Sequence, residues 1–152
     1  MERPYEYYMG LALEEAREAA REGEVPVGAV IVCGDKVIAR AHNQTERLCD
    51  VTAHAEILAI TAAENYLGGK YLPDCTLFVT VEPCPMCAGA LGWSQIGSIV
   101  YGAPDVKRGF LSVFGMASPL ARTPLHPKTV VTPGIMADEA AALMRDFFRS
   151  RR

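Results

Sequence analysis

TLFVTVEPCPMCAGA, residues 76–90, is an apolar run that passes directly into a pair of cysteines. The TLFVTV part, residues 76–81, is short, rich in β-branched residues and free of charge, which reads as a strand buried on both faces. Glu82-Pro83 ends it. Pro85 has the fixed φ that suits the first turn of a helix, so a helix is expected to begin near Cys84 and run through MCAGALGWSQI. A buried strand feeding straight into a helix is the repeating unit of an α/β layer fold.

The pattern extends in both directions. In HAEILAITAAENYL, residues 54–67, Ile57, Ile60, Ala63 and Leu67 recur on one helical face. Thr52 or Asp50 is placed to cap that helix, which puts His54 and Glu56 in its first turn. Further upstream, VGAVIV (27–32) and KVIARA (36–41) are β-rich and joined by Cys33, Gly34 and Asp35, the pattern of a hairpin. The polar run 42–52 reads as a loop. Tyr8, Leu11, Ala12, Ala16, Ala19 and Ala20 mark an amphipathic helix over residues 5–21, stopped by Gly23. Downstream come a strand at 98–102, a Gly- and Pro-containing segment at 103–128, a short strand at 129–132 and a last helix at 138–150. Strands alternating with helices predict an α/β fold: a three-layer α/β/α sandwich around a mixed central sheet of about five strands, the first pair an antiparallel hairpin. Residues 1–152 are expected to form a single domain.

Half of the 152 residues are hydrophobic and 22% are charged, the balance of a globular chain. No apolar run reaches the roughly 20 residues of a membrane span, so no membrane association is expected. The opening MERPYEYYMG lacks the pattern of a secretory signal, and a cytoplasmic location is expected. Five cysteines, an odd number, fit reduced thiols available to a metal better than a disulfide framework. The net charge of -3 opposes sequence-indifferent binding to nucleic acid. A local basic patch does exist at the end of the last helix. There Arg145, Arg149, Arg151 and Arg152 face a single acid, Asp146, with Phe147 and Phe148 between them. Cations at a helix C-terminus are also favoured by the dipole alone.

Cys84-Pro85-Met86-Cys87 sets two thiols on one face at a helix start, where the dipole favours the thiolate that binds zinc. Taken alone the pair also suits a redox couple or two packed cysteines. Adding His54 supplies three nitrogen and sulfur donors, which leave the fourth tetrahedral position of Zn2+ to water, the arrangement of catalytic sites. A closed structural site would need Cys49 or Cys75 as a fourth ligand. Glu56, two residues past His54, leaves the helix in another direction and reads as an outer base rather than a ligand.

The H-x-E and P-C-x-x-C patterns together resemble the signature of zinc nucleobase deaminases. The stretches EGEVPVGAVIV, TAHAE, TLFVTVEPCPMCAGA, YGAPDVKRG and GIMADEAAALMRDFFRSRR, with Asn43, resemble bacterial tRNA-specific adenosine deaminases of the cytidine and deoxycytidylate deaminase superfamily along nearly the whole chain. That resemblance implies a cytidine-deaminase-like fold and a homodimer. It also implies His54, Cys84 and Cys87 as zinc ligands, Glu56 as proton shuttle and Asn43 as a hydrogen-bonding partner of the target nucleoside. Asp105 and Lys107 match a loop that approaches the anticodon. Phe147 and Arg149 are suited by chemistry to unpaired bases and phosphates of a tRNA anticodon loop. The chain departs from the family at 108–128, RGFLSVFGMASPLARTPLHPK, where many relatives carry small residues. The implied activity is hydrolysis of the wobble adenosine to inosine by zinc-activated water. The alternatives are deamination of a free base or nucleoside (guanine, cytosine or adenosine) and a non-catalytic zinc protein that binds RNA.

Overall fold

The computed structural model describes residues 1, 3–115 and 123–151. Part of the divergent segment, 116–122, and Arg152 of the basic C-terminal group therefore lie outside the described residues. In chain order the elements are α1 (Tyr5–Arg21), β1 (Gly28–Cys33), β2 (Lys36–His42), α2 (Ala55–Leu67), β3 (Cys75–Val81), α3 (Pro85–Ser94), β4 (Ser98–Ala103), β5 (Val130–Thr132) and α4 (Ala137–Arg149). The strands form one sheet in the order β2-β1-β3-β4-β5. β1 runs antiparallel to both β2 and β3, whereas β3, β4 and β5 are parallel. The expected mixed sheet with a leading hairpin is present, its two-residue turn carried by Gly34 at φ +63 and Asp35, with Cys33 opposite Lys36.

Strand periodicity separates the two faces. Ala29, Ile31, Leu77, Val79 and Ile99 pack with Ala59, Ala63 and Leu91 of α2 and α3. Val30, Val32, Phe78 and Val100 pack with Tyr8, Met9, Ala12 and Leu13 of α1 and Ala140 of α4. This is the three-layer sandwich. Among the described residues no helix is long and apolar enough to cross a membrane.

α1 lies against β1 with backbone nearly touching backbone. A Cβ at Gly28 would stand 2.0 Å from the Ala12 carbonyl oxygen and 2.5 Å from the Ala16 nitrogen. The small residues Ala12, Ala16 and Ala19, all fully buried, make that approach possible. On the same side the Gly28 N–H donates to Thr80 Oγ1 at 3.1 Å, which ties β1 to β3 just before the site.

The start of α2 differs from the sequence expectation. Neither Thr52 nor Asp50 caps it; His54 occupies the N-cap position and its side chain makes no capping bond. Asp50 Oδ1 instead accepts from the Thr52 N–H at 2.8 Å and the Thr52 hydroxyl at 2.7 Å, closing a turn upstream. The capping residue types are consumed one turn early because the cap position is given to a residue with other work.

Gly28→Ala is expected to push α1 off the sheet and cost about 3 kcal/mol, the range of core overpacking. For a chain of this size that is a fall of roughly 6–12 °C in Tm. Differential scanning calorimetry measures it, and an unchanged Tm would contradict the packing described.

Candidate active site

The ends of two helices meet at the site. His54 is the N-cap of α2, Cys84 is the N-cap of α3, and Cys87 lies in the first turn of α3 behind Pro85. Neither side chain makes a capping bond to its own helix. Both turn toward each other, and the free N–H groups and positive dipole ends of α2 and α3 surround the sulfurs. His54 Nδ1 lies 3.7 Å from Cys84 Sγ and 3.5 Å from Cys87 Sγ. The three donor atoms fall within 4.8 Å of one another.

The donor set fits zinc. Tetrahedral bonds of about 2.0–2.1 Å to nitrogen and about 2.3 Å to sulfur place N and S about 3.6 Å apart, between the two separations observed. Among the described residues no fourth donor joins the cluster. Cys75 stands opposite Cys33 at the beginning of β3, remote from the strand end that leads to Cys84. Cys49 is exposed in the loop after β2.

Electrostatics divide the roles within the site. The hydrogen bond from Cys87, aided by His54, holds the Cys84 thiol down to about 4, against the opposing effect of burial. Cys87 is pushed up, first by that same bond and then by burial. The hydrogen bond to Cys84 raises His54. Glu56 is 4% exposed. Burial, helped by the negative Cys84 sulfur, pushes its carboxyl up to about 7, although a backbone N–H and His54 pull the other way. A carboxyl that ionises near neutrality is fitted to give and take protons.

A cavity of about 240 Å³ opens over these groups, lined by His54 and Glu56 together with Val25, Val27, Asn43 and Thr45 on one wall and Asp105, Arg108 and Met144 on the other. Asn43 is 7% exposed, and its Oδ1 has no hydrogen-bond partner. A second cavity of about 560 Å³ adjoins the first and shares Val81, Asp105 and Met144 with it. Its remaining lining includes Lys107, Arg145, Phe148 and Arg149.

The residues named from sequence thus separate. His54, Glu56, Cys84, Asn43 and Asp105 line the first cavity, Lys107 and Arg149 the second. Phe147 does not join them. It is turned inward on the face of α4 that carries Ala140, seven residues earlier, with the Arg151 guanidinium 4.3 Å over its ring. Phe148 is the ring that reaches the second cavity. Arg151 also departs from the expected pattern of a solvated or RNA-facing cation, since it donates to the Gly23 carbonyl at 2.9 Å and holds the end of α4 to the turn after α1.

Sequence reasoning missed Glu82. It is 3% exposed and makes no salt bridge among the described residues. Its carboxylate accepts from the backbone N–H groups of Asp105 at 3.0 Å, Leu111 at 2.8 Å and Ser112 at 2.9 Å, and from the Ser112 hydroxyl. Gly109 passes so close that a Cβ there would stand 2.3 Å from the carboxylate. Asp105 Oδ1 in turn accepts from Lys107 and Arg108 N–H. The far wall of the cavity is therefore wound around one buried charge. The available signal was an acid directly after an apolar strand, where it had been read as the strand's end.

Residues 2–103 match the family described as the cytidine and deoxycytidylate deaminase zinc-binding region. The chain is 44% identical over 146 residues to a tRNA-specific adenosine deaminase of Agrobacterium fabrum, covering 96% of this chain and 95% of that one. Its structure is similar to that of a tRNA:A34 deaminase studied for A-to-I editing at the wobble position, with a TM-score of 0.82 and 43% identity over 90% of this chain and 98% of the other. It is also similar to a guanine deaminase of Nitrosomonas europaea, with a TM-score of 0.78 and 28% identity over 97% of this chain and 85% of the other.

Glu82→Gln turns an amide N–H₂ toward donors and is expected to cost about 2–4 kcal/mol. Hydrogen exchange at residues 105–112 should rise more than exchange in the sheet; uniform protection in the variant would remove Glu82 as the organiser of that wall.

Proposed function

The chain belongs to the cytidine and deoxycytidylate deaminase family and is a zinc-dependent hydrolytic deaminase, and from that premise we propose that it converts the wobble adenosine of a tRNA anticodon to inosine. One observation carries the choice of substrate: the metal-side cavity continues into a second one bordered by Lys107, Arg145, Phe148 and Arg149. A single base fills the first. Phosphates and unstacked bases of a looped strand suit the second, because arginine pairs with phosphate and an aromatic ring stacks on a base. A deaminase of free guanine, which the likeness to the Nitrosomonas europaea enzyme raises, has no use for that extension.

His54, Cys84 and Cys87 would hold the zinc. When bound there, zinc would supply Lewis-acid activation of the water that attacks C6. Glu56 accepts the water's proton and delivers it to N1 of adenine. It then passes a proton to the amine as the C6–N bond breaks, so that adenosine and water yield inosine and ammonia. Asn43, which lines the first cavity and whose buried Oδ1 has no hydrogen-bond partner among the described residues, hydrogen-bonds the nucleoside and fixes its angle. Asp105 shapes the boundary between the two cavities, while Lys107, Arg149 and Phe148 hold the flanking strand.

The proposed assembly is a homodimer. The outer face of α2 and α3 presents Trp93, 86% exposed, beside Tyr71 and Ile57 in a groove that supports a self-complementary contact.

Zinc-loaded protein incubated with total tRNA should produce inosine at the wobble position and leave free guanine, cytosine and adenosine unchanged. Glu56→Ala should retain zinc, bound by one nitrogen and two sulfurs in X-ray absorption, and lose about 10³-fold in turnover. Deamination of free guanine in preference to tRNA would overturn the substrate, and loss of zinc in Glu56→Ala would overturn the role of that carboxylate. In sedimentation, Trp93→Glu should convert dimer to monomer; an unshifted dimer would move the interface elsewhere.

A further inference from the structure

At the end of β2 the His42 ring stands between Glu15 of α1 and Glu22, the C-cap residue of that helix. Nδ1 is 3.0 Å from Glu15 Oε1 and Nε2 is 3.0 Å from Glu22 Oε2. The side chain is 12% exposed, so water screens these contacts only in part. Other charges complete the surroundings. Arg40, on the same face of β2, donates to Glu14 and Glu15, and Arg47 of the following loop donates to Glu22 Oε1. Glu18 of α1, held by Arg21, also acts on the ring, and the Gln44 amide lies 3.4 Å from Nε2.

A neutral imidazole has one N–H, and an imidazolium has two. Satisfying both carboxylates therefore requires the protonated ring. Burial alone would drive the proton off, but Glu15 and Glu22 outweigh it and His42 is raised above its ordinary 6.5.

Asn43 comes next in the chain. Strand alternation sends its side chain to the opposite side from His42, into the cavity with His54 and Glu56. The Asn43 N–H is fixed on the Val27 carbonyl at 3.0 Å and the Gln44 N–H on Ala53 at 3.0 Å. On the same loop, the buried Glu24 carboxylate accepts from the N–H groups of Glu46 and Arg47. The strand end that aims Asn43 is thus held to α1 and its C-cap by His42, beside Asn43, and by Arg40 two residues earlier.

We propose that the Glu15–His42–Glu22 clamp is a positioning device for Asn43, which grips when the ring carries its proton and slackens when it does not. The proposal rests on the reading of Asn43 as the nucleoside's partner. Deprotonation leaves one carboxylate facing a ring lone pair at 3.0 Å. Its repulsion loosens the end of β2, and Asn43 loses its angle. Because the folded-state pKa lies above that of the unfolded chain, the clamp is fully closed below about 6.5 and opens as pH rises through the folded value.

The test uses the zinc-loaded full chain and an RNA stem-loop with adenosine at the wobble position. For the parent, KM should rise about fivefold as pH climbs from 6 to 9, while kcat follows the zinc site. His42→Gln should raise KM about tenfold at pH 6, lower kcat by less than about threefold, and remove the part of the KM profile due to the clamp. In an Asn43→Ala background His42→Gln should add less than about twofold, since the effect runs through that side chain. Glu22→Gln, which a neutral ring can satisfy alongside Glu15, is the second variant should His42→Gln fail to fold, and it should flatten the profile with a smaller KM penalty. A readout without substrate separates this inference from the functional reading: the Asn43 side-chain amide resonance should shift with pH in the parent by a component that His42→Gln abolishes. An identical amide titration in parent and variant, or a full His42→Gln penalty on top of Asn43→Ala, overturns the clamp. A moving amide without any RNA turnover overturns the proposed function instead.

Discussion

The meeting of His54 Nδ1 with the Cys84 and Cys87 sulfurs, at 3.7 and 3.5 Å, constrains everything around it. Two helix N-termini must point at one spot, so α2 and α3 must share a face of the sheet, and the strand feeding α3 must end there. The strand order meets these demands. β3 lies between antiparallel β1 and parallel β4, so its carboxyl end opens beside the amino end of β1 rather than beneath a continuous parallel row. Ligand sites in open α/β sheets gather where the chain changes direction in this way. The first cavity has β1's entry on one side, with Val25 and Val27, and the β3 exit on the other, with Val81 and Glu82.

Two buried carboxylates that make no salt bridge among the described residues then build the walls. Glu24, 1% exposed, takes the N–H groups of Glu46 and Arg47, and Glu82 does the same for Asp105, Leu111 and Ser112. A charge is costly to bury, and hydrogen bonds to the charged form are what offset that cost. The arrangement gives loops the rigidity of regular structure without a ladder to pair with.

The fold was readable because its signals are local. A β-rich run at 27–32, a strand-to-helix junction at 81–85 and helical spacing in 5–21 each survive without knowledge of partners. The cluster of His54, Cys84 and Cys87 was readable because zinc chemistry demands a narrow choice of donors at fixed spacing. Other features were not local. His54 as a cap broke the capping rule because ligation, not propensity, chose the residue. Glu82 and Glu24 act on segments more than 20 residues away, and nothing in an acid's immediate neighbours says that it will be buried. Phe147 and Phe148 are adjacent and alike in sequence. Only the rotation of α4 against the sheet decides which packs inward, and the spacing from Ala140 to Phe147 favours the first.

Asn43 shows how the site trades stability for binding. A buried amide oxygen without a partner costs about 1–3 kcal/mol, and Asn43 Oδ1 bears that cost in the ligand-free chain. A residue that packed the same space with carbon would stabilise the fold and lose the acceptor. The cost persists because the rest of the wall is over-determined: the Asn43 N–H is held by Val27, the preceding ring by two acids, and the following loop by Glu24. In the role proposed for Asn43, a donor on the incoming nucleoside would recover the missing bond at the moment of binding. Such a gain depends on angle as well as distance, so a substrate that fits the volume but not the direction receives little of it. In the proposed arrangement, rigidity in the strand end would become discrimination at the pocket, through polar contacts between α1 and β2 remote from the His54, Cys84 and Cys87 cluster.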